Sequence, residues 1–182
     1  MNFLKSVFKF FWDIMKVAII ALVLAGVVRY FLVQPFFVEG ASMAPNFLNG
    51  EYLLVDELSY YFKSIERGQV VVFHYPLDTS KYYIKRIIGL PGETVEIKDG
   101  KVIIYNKENP KGLVTNEKYI SSGFTTDGSL KKKLGAAEYF VLGDNRLVSS
   151  DSRRWGALPQ NDIVGRVWVR AWPFSRTAIF SY

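Results

Sequence analysis

The heptapeptide Gln69-Val70-Val71-Val72-Phe73-His74-Tyr75 decides the fold class. It is dense in β-branched and aromatic residues, carries no helical spacing, and ends where Pro76 follows Tyr75, so it reads as a strand. The same vocabulary recurs on either side of it. Tyr52-Leu53-Leu54-Val55 precedes it, and Tyr82 to Ile88, Thr94-Val95-Glu96-Ile97 and Val102-Ile103-Ile104-Tyr105 follow. Further on come Tyr139-Phe140-Val141-Leu142 and Ile163 to Val169. Turn signals divide these runs: Pro91-Gly92, Asp99-Gly100, Pro110 and Gly143-Asp144-Asn145. No helical period is sustained between 40 and 182, so residues 36–182 read as one mainly β domain. Within it, residues 106–137 are more polar and contain Lys131-Lys132-Lys133; they read as an insertion or lid-like excursion.

Ahead of the strands the chain changes character. Phe3, Leu4, Val7, Phe8, Phe10, Phe11 and Trp12 are mixed with Lys5 and Lys9, which share a helical face. Residues 1–13 therefore read as an amphipathic segment lying in a membrane interface. Val17 to Val28 carries no charge, and with Arg29 near an interface residues 14–35 are long enough for a transmembrane anchor ended by Pro35. A cleaved export signal fits less well, because Arg29-Tyr30-Phe31 follows the run where small residues are needed. Lys5, Lys9 and Lys16 precede the span, which puts the N-terminus in the cytoplasm and the β domain outside it, on a single-pass membrane protein.

Composition excludes several functions. The 182 residues contain no cysteine and one histidine, which removes thiol catalysis, disulfides, zinc-thiolate centres and His-rich metal sites. The net charge of +6 is dispersed, with no basic stripe and no nucleic-acid motif, so it suits anionic lipid better than nucleic acid. No cofactor is expected, since the carboxylates lack ligand spacing and Gly89-Leu90-Pro91-Gly92 is a turn.

What remains is nucleophile chemistry. Val38-Glu39-Gly40-Ala41-Ser42-Met43-Ala44-Pro45 places Ser42 among small residues, seven residues past Pro35 and hence within about 25 Å of the anchor's end. Gly40 tolerates the geometry that offers backbone N–H groups to an oxyanion. Serine needs a base. Lys85 is the candidate, in Tyr82-Tyr83-Ile84-Lys85-Arg86-Ile87-Ile88: both faces of this strand are apolar, so one of the two cations must enter or border the core, and only lysine can shed its proton there. His74 is the rival base, though a lone strand histidine is more often structural. Gly143 to Arg153 holds Asp144, Arg146, Asp151 and Arg153 as a salt-bridged loop, and Ser149 there could hold the lysine amine.

These stretches together resemble the bacterial type I signal peptidases, membrane-anchored Ser/Lys proteases. The resemblance runs from the anchor to Trp172-Pro173-Phe174-Ser175 and rests on Gly40 to Pro45, Arg67 to Phe73, Lys85 to Glu93, and Gly143-Asp144-Asn145-Arg146 with Ser149 to Arg153. It implies Ser42 as nucleophile, Lys85 as general base, Ser149 as the hydroxyl that positions the lysine, and Asp151 and Arg153 as supporting residues. It implies twisted antiparallel sheets. It also implies exported preprotein substrates with small residues at the −3 and −1 positions, a lipid setting and proximity to the secretion machinery. An oxyanion hydroxyl found in some relatives falls on Gly40, leaving only backbone there. Two departures stand out: Asn46 where threonine is usual, and Leu147-Val148 where polar residues are usual. Rival readings are a non-catalytic anchored relative that binds or chaperones surface proteins such as pilins, and a self-processing Ser/Lys protein of repressor type. The first would be expected to have lost a dyad residue. The second lacks support from a DNA-binding domain.

Overall fold

The computed structural model describes residues 2–31, 33–120 and 125–181. It begins with helix α1 (Asn2–Phe31), followed directly by strand β1 (Val33–Phe37). Pro35 therefore does not end the helix. It sits inside an edge strand, where a missing N–H can be tolerated. The amphipathic and anchor stretches form one continuous helix of 30 residues rather than two elements. Val17, Ile19, Ile20, Leu22 and Val23 stand exposed on it. Among the described residues no helix is long and apolar enough to cross a membrane; the side chains of Leu24, Ala25, Val27 and Val28, within the apolar run, lie outside the description.

The remainder is mainly β, in two antiparallel sheets. The larger joins β1, β2 (Tyr52–Asp56), β11 (Ile163–Trp172), β3 (Val70–Tyr75), β4 (Asp78–Gly89), β9 (Glu138–Leu142) and β10 (Leu158–Pro159) in that order, with β12 (Ala178–Ile179) on β11. The smaller runs β7 (Leu113–Val114), β6 (Lys101–Tyr105), β5 (Thr94–Lys98), β8 (Leu130–Lys133). Short helices α2 (Ser59–Phe62) and α3 (Ser152–Trp155) lie in the connections.

The central strand shows why its sequence lacks alternation. Val70 and Val72 pack with Val38, Met43, Phe47, Leu53, Val55 and Val167. Val71 and Phe73 pack on the other face with Ile65, Ile87, Val141 and Leu158. A strand covered on both faces is apolar at every position. A third cluster, built from Val95, Ile97, Val102 and Ile104 with Ile88, Phe140 and Leu142, fastens the smaller sheet to the larger.

Residues 106–137 contain β7 and β8. β7 pairs with β6 and β8 pairs with β5, so this stretch supplies both edges of the smaller sheet. Its polarity is that of solvent-facing edge strands, which lysines protect from further pairing.

Candidate active site

Three segments converge at one end of the larger sheet. The loop 38–47 leaves β1 and is fixed by hydrophobic residues: Val38, Met43 and Phe47 are buried in the core cluster that holds Val70 and Val72. With its flanks anchored, Ser42 is left half-buried between them. Strand β4 brings Lys85, paired opposite Val71. The loop after β9 brings Gly143 to Arg153.

Lys85 Nζ lies 2.7 Å from Ser42 Oγ and also donates to the Ile84 carbonyl at 2.9 Å. The lysine is 4% exposed. Burial lowers its pKa to about 8, against the opposing pull of the Asp151 and Asp144 carboxylates. At pH 7 about a tenth of such an amine is neutral and able to take a proton, against less than about a thousandth of an ordinary lysine. Both cations of the strand are buried, not one as the alternation suggested. Arg86 enters in company: its Nε and Nη2 donate to Asp144 at 2.8 and 2.6 Å, its Nη1 donates to the Gly68 carbonyl, and the Tyr119 ring covers it at 4.2 Å.

The third segment holds the first in place. The Asn145 N–H donates to the Ser42 carbonyl at 3.0 Å. Gly143 makes this approach possible, because a Cβ there would collide with Ser149 Oγ and come within 2.5 Å of the Ser42 carbonyl oxygen. Asp151 is fully buried and receives Arg153 Nε and Nη2 at 2.8 and 2.9 Å and the Gly143 N–H at 3.1 Å. Burial pushes the Asp151 carboxyl up, but Arg153 more than offsets this and holds it below the usual carboxylate range. Ser149 is buried beside Gly143. Its hydroxyl makes no hydrogen bond of ordinary geometry among the described residues and does not hold the lysine amine, although it lies near enough to Asp151 to help lower that pKa.

Gly40 has a φ of +86° and open space where a side chain would stand. Its N–H, however, donates to Asn49 Oδ1 at 2.9 Å, so this donor is already committed. His74 is engaged elsewhere, with Nδ1 at 2.8 Å from the Thr79 carbonyl and its ring against Tyr82. Glu117 and Tyr119 were not read from the sequence, and Asn46 was noted there without a role. Asn46 Nδ2 donates to Asp144, and Glu117 receives Arg146, while Tyr119 covers Arg86. Only Asn46 carried a signal, as a departure from the expected threonine.

A groove of about 820 Å³ opens over Ser42 and Lys85, floored by Val38, Leu53, Val72 and Ile84 and rimmed by Tyr82 and Val148. Among the described residues no group of side chains suited to a metal ion is found.

The family model described as "Signal peptidase, peptidase S26" matches residues 11–172. The chain belongs to this family. It is a serine endopeptidase. It is 41% identical over 169 residues to signal peptidase I of Bacillus amyloliquefaciens, covering 90% of this chain and 86% of that one. It is 39% identical over 164 residues to signal peptidase I V of Bacillus subtilis, covering 86% of this chain and 95% of the relative. A crystal structure of signal peptidase I from Enterococcus faecalis, 30% identical, covers 58% of this chain and 97% of its own, with a TM-score of 0.49. The departures at Asn46 and Leu147-Val148 thus occur inside an S26 peptidase with its serine and lysine in hydrogen-bond contact.

Proposed function

We propose that this peptidase removes N-terminal signal peptides from exported preproteins, with Ser42 as nucleophile and Lys85 as general base. The observation that carries the reading is the 2.7 Å contact between Lys85 Nζ and Ser42 Oγ inside a buried environment that depresses the lysine pKa. While the amine is charged it donates to the hydroxyl; once neutral, the bond reverses and the hydroxyl proton moves to nitrogen. Ser42 then attacks the scissile carbonyl, the new ammonium protonates the departing amine, and water hydrolyses the acyl-enzyme with Lys85 again as base. With the Gly40 N–H committed to Asn49, that donor does not serve the oxyanion. Asp151, Arg153 and Ser149 brace the loop behind Ser42 rather than touching the substrate.

The groove supports an extended peptide. β4 pairs with β9 only from Arg86 to Gly89, so Asp78 to Lys85 has no strand on that side among the described residues. β1 lies at the opposite margin of the same sheet, and Phe36 meets Tyr82 across the gap at 5.2 Å. A peptide added between two strand edges gains main-chain hydrogen bonds, and its alternate side chains enter the shallow apolar floor. That favours small residues at the −3 and −1 positions.

The reading includes a single-pass anchor. α1, at 30 residues, is about 45 Å long, against roughly 30 Å of bilayer hydrocarbon. The N-terminus would face the cytoplasm and the β domain the far side, among lipid and near the secretion machinery.

The test is cleavage of a preprotein by the detergent-solubilised chain with added lipid, beside Ser42→Ala and Lys85→Ala. Cutting after a small-x-small site, lost in both variants, is the expected result. Retained cutting in either variant removes the dyad.

A further inference from the structure

We propose that Asn46 is a positioning residue that clamps the nucleophile loop to the strand carrying Lys85 through the two donors of its side-chain amide. The inference deepens the dyad reading and rests on it. Asn46 Nδ2 donates to Asp144 Oδ2 at 2.8 Å and to the Tyr119 carbonyl at 2.7 Å. Asp144 receives Arg86 through two nitrogens, and the Tyr119 ring lies over the same guanidinium. Arg86 is the residue after Lys85. The contacts therefore close a ring: from Ser42 along four residues to Asn46, across Asp144 to Arg86, back one residue to Lys85, and over 2.7 Å to Ser42.

The backbone of Asn46 is held from the opposite side. Its carbonyl accepts Arg170 Nη1 at 2.7 Å, and Arg170 is itself paired with the buried Glu51. The residue can neither slide nor turn without breaking a charged contact.

The residue type matters. A primary amide offers two N–H donors from one nitrogen, whereas a hydroxyl offers one. Threonine, the residue the family pattern leads one to expect, would satisfy Asp144 or the Tyr119 carbonyl but not both. The bond to Asp144 is to a carboxylate and so belongs to the stronger, charge-assisted class. Asn46 thus couples the segment after β7, which contributes Tyr119, to the distance between nucleophile and base.

The experiment measures kcat and KM for preprotein cleavage by the full chain in lipid-supplemented detergent, across the pH range over which the lysine titrates. Asn46→Ala, Asn46→Thr and Asn46→Asp are compared with the unaltered enzyme, with Lys85→Ala as blank. Asn46→Ala is expected to keep KM within about twofold and lower kcat at neutral pH about tenfold, because a small displacement of base from nucleophile is costly. It should also move the midpoint of the kcat–pH curve upward, because a loosened loop admits water to the lysine. Asn46→Thr should fall between the two. Asn46→Asp, equal in size but setting a carboxylate against Asp144, should lose the most. Thermal unfolding checks each variant; if Asn46→Ala does not fold, Asn46→Thr carries the same test. An unmoved midpoint in the folded variant overturns the clamp, whether or not kcat falls. Equal cutting by the unaltered enzyme and Lys85→Ala would instead overturn the dyad reading beneath it.

Discussion

Lys85 keeps an amine in the protein interior at a cost to stability. Its pKa is lowered from 10.5 to about 8, mainly by burial. Between these values the unfolded chain binds more protons than the folded one, so stability rises with pH across that window, and below it the folded state carries the full cost of the buried charge. Lys85→Met should therefore abolish cleavage yet raise stability at neutral pH by up to about 3 kcal/mol, at 1.36 kcal/mol per pKa unit. Urea unfolding at neutral pH and again near pH 10 checks this: the advantage should shrink at the higher pH. An advantage that does not change with pH would mean the amine is not strained by burial. Ser42 and Lys85 were visible in the sequence as candidates through their own chemistry and immediate neighbours, and only the four motifs in order joined them into one expected dyad. The role of Asn46 was not visible, because its partner Asp144 lies 98 residues away and an asparagine after a proline reads as a turn. Gly40 shows the opposite error. Its geometry was read correctly as permissive, but its N–H is taken by Asn49, nine residues on.

At the scale of elements, the motif Pro91-Gly92-Glu93 looked like a turn after a strand, and its acidic residue does the fastening. Glu93 receives Arg67 at 2.6 and 2.7 Å, Asn106 at 2.9 Å and the Leu90 N–H at 2.8 Å. It thereby ties the start of β3, the turn after β4 and the end of β6 together. Burial pushes its carboxyl up, but Arg67 and Asn106 outweigh this and hold it below its ordinary value. That contribution is present above the usual carboxylate range and is lost as pH falls through it. Glu93→Ala should cost roughly 2–3 kcal/mol, less than a fully buried pair because Arg67 keeps one side in water. A drop in the urea midpoint at neutral pH that fades toward pH 3 checks it. The long strands were legible because burial on both faces or alternation marks their sequences. β7 and β8 were missed because a two-residue strand has no period, and Leu130-Lys131-Lys132-Lys133 spends its side chains on solvent. Their pairing is written in the backbone of β5 and β6, not in their own composition.

At the scale of the whole molecule, the proposed anchoring requires the helix, the groove and the lysine to be arranged about one membrane plane. β1 begins two residues after α1 ends, and Phe36 of that strand already borders the groove. In the proposed anchored arrangement Ser42 follows the helix end by few residues, which suits substrates tethered in the same bilayer. Exposed aromatic residues continue that theme: Phe37, Tyr52, Trp172 and Phe174 lie on adjoining strands or just beyond them, with rings in contact in pairs. Such rings favour the headgroup layer. The proposed orientation is testable because the chain has no cysteine, so a single introduced thiol reports its own location. Lys5 and Lys101 are both exposed and stand on opposite sides of the proposed span. In intact cells a membrane-impermeant maleimide should label Lys101→Cys at once and Lys5→Cys only after permeabilisation. The reverse pattern would invert the topology and place the groove in the cytoplasm, where no exported chain would present its cleavage site. Equal labelling of both in intact cells would mean that α1 lies along the surface instead of crossing, and Ser42 would then have to reach its substrates from the membrane face alone.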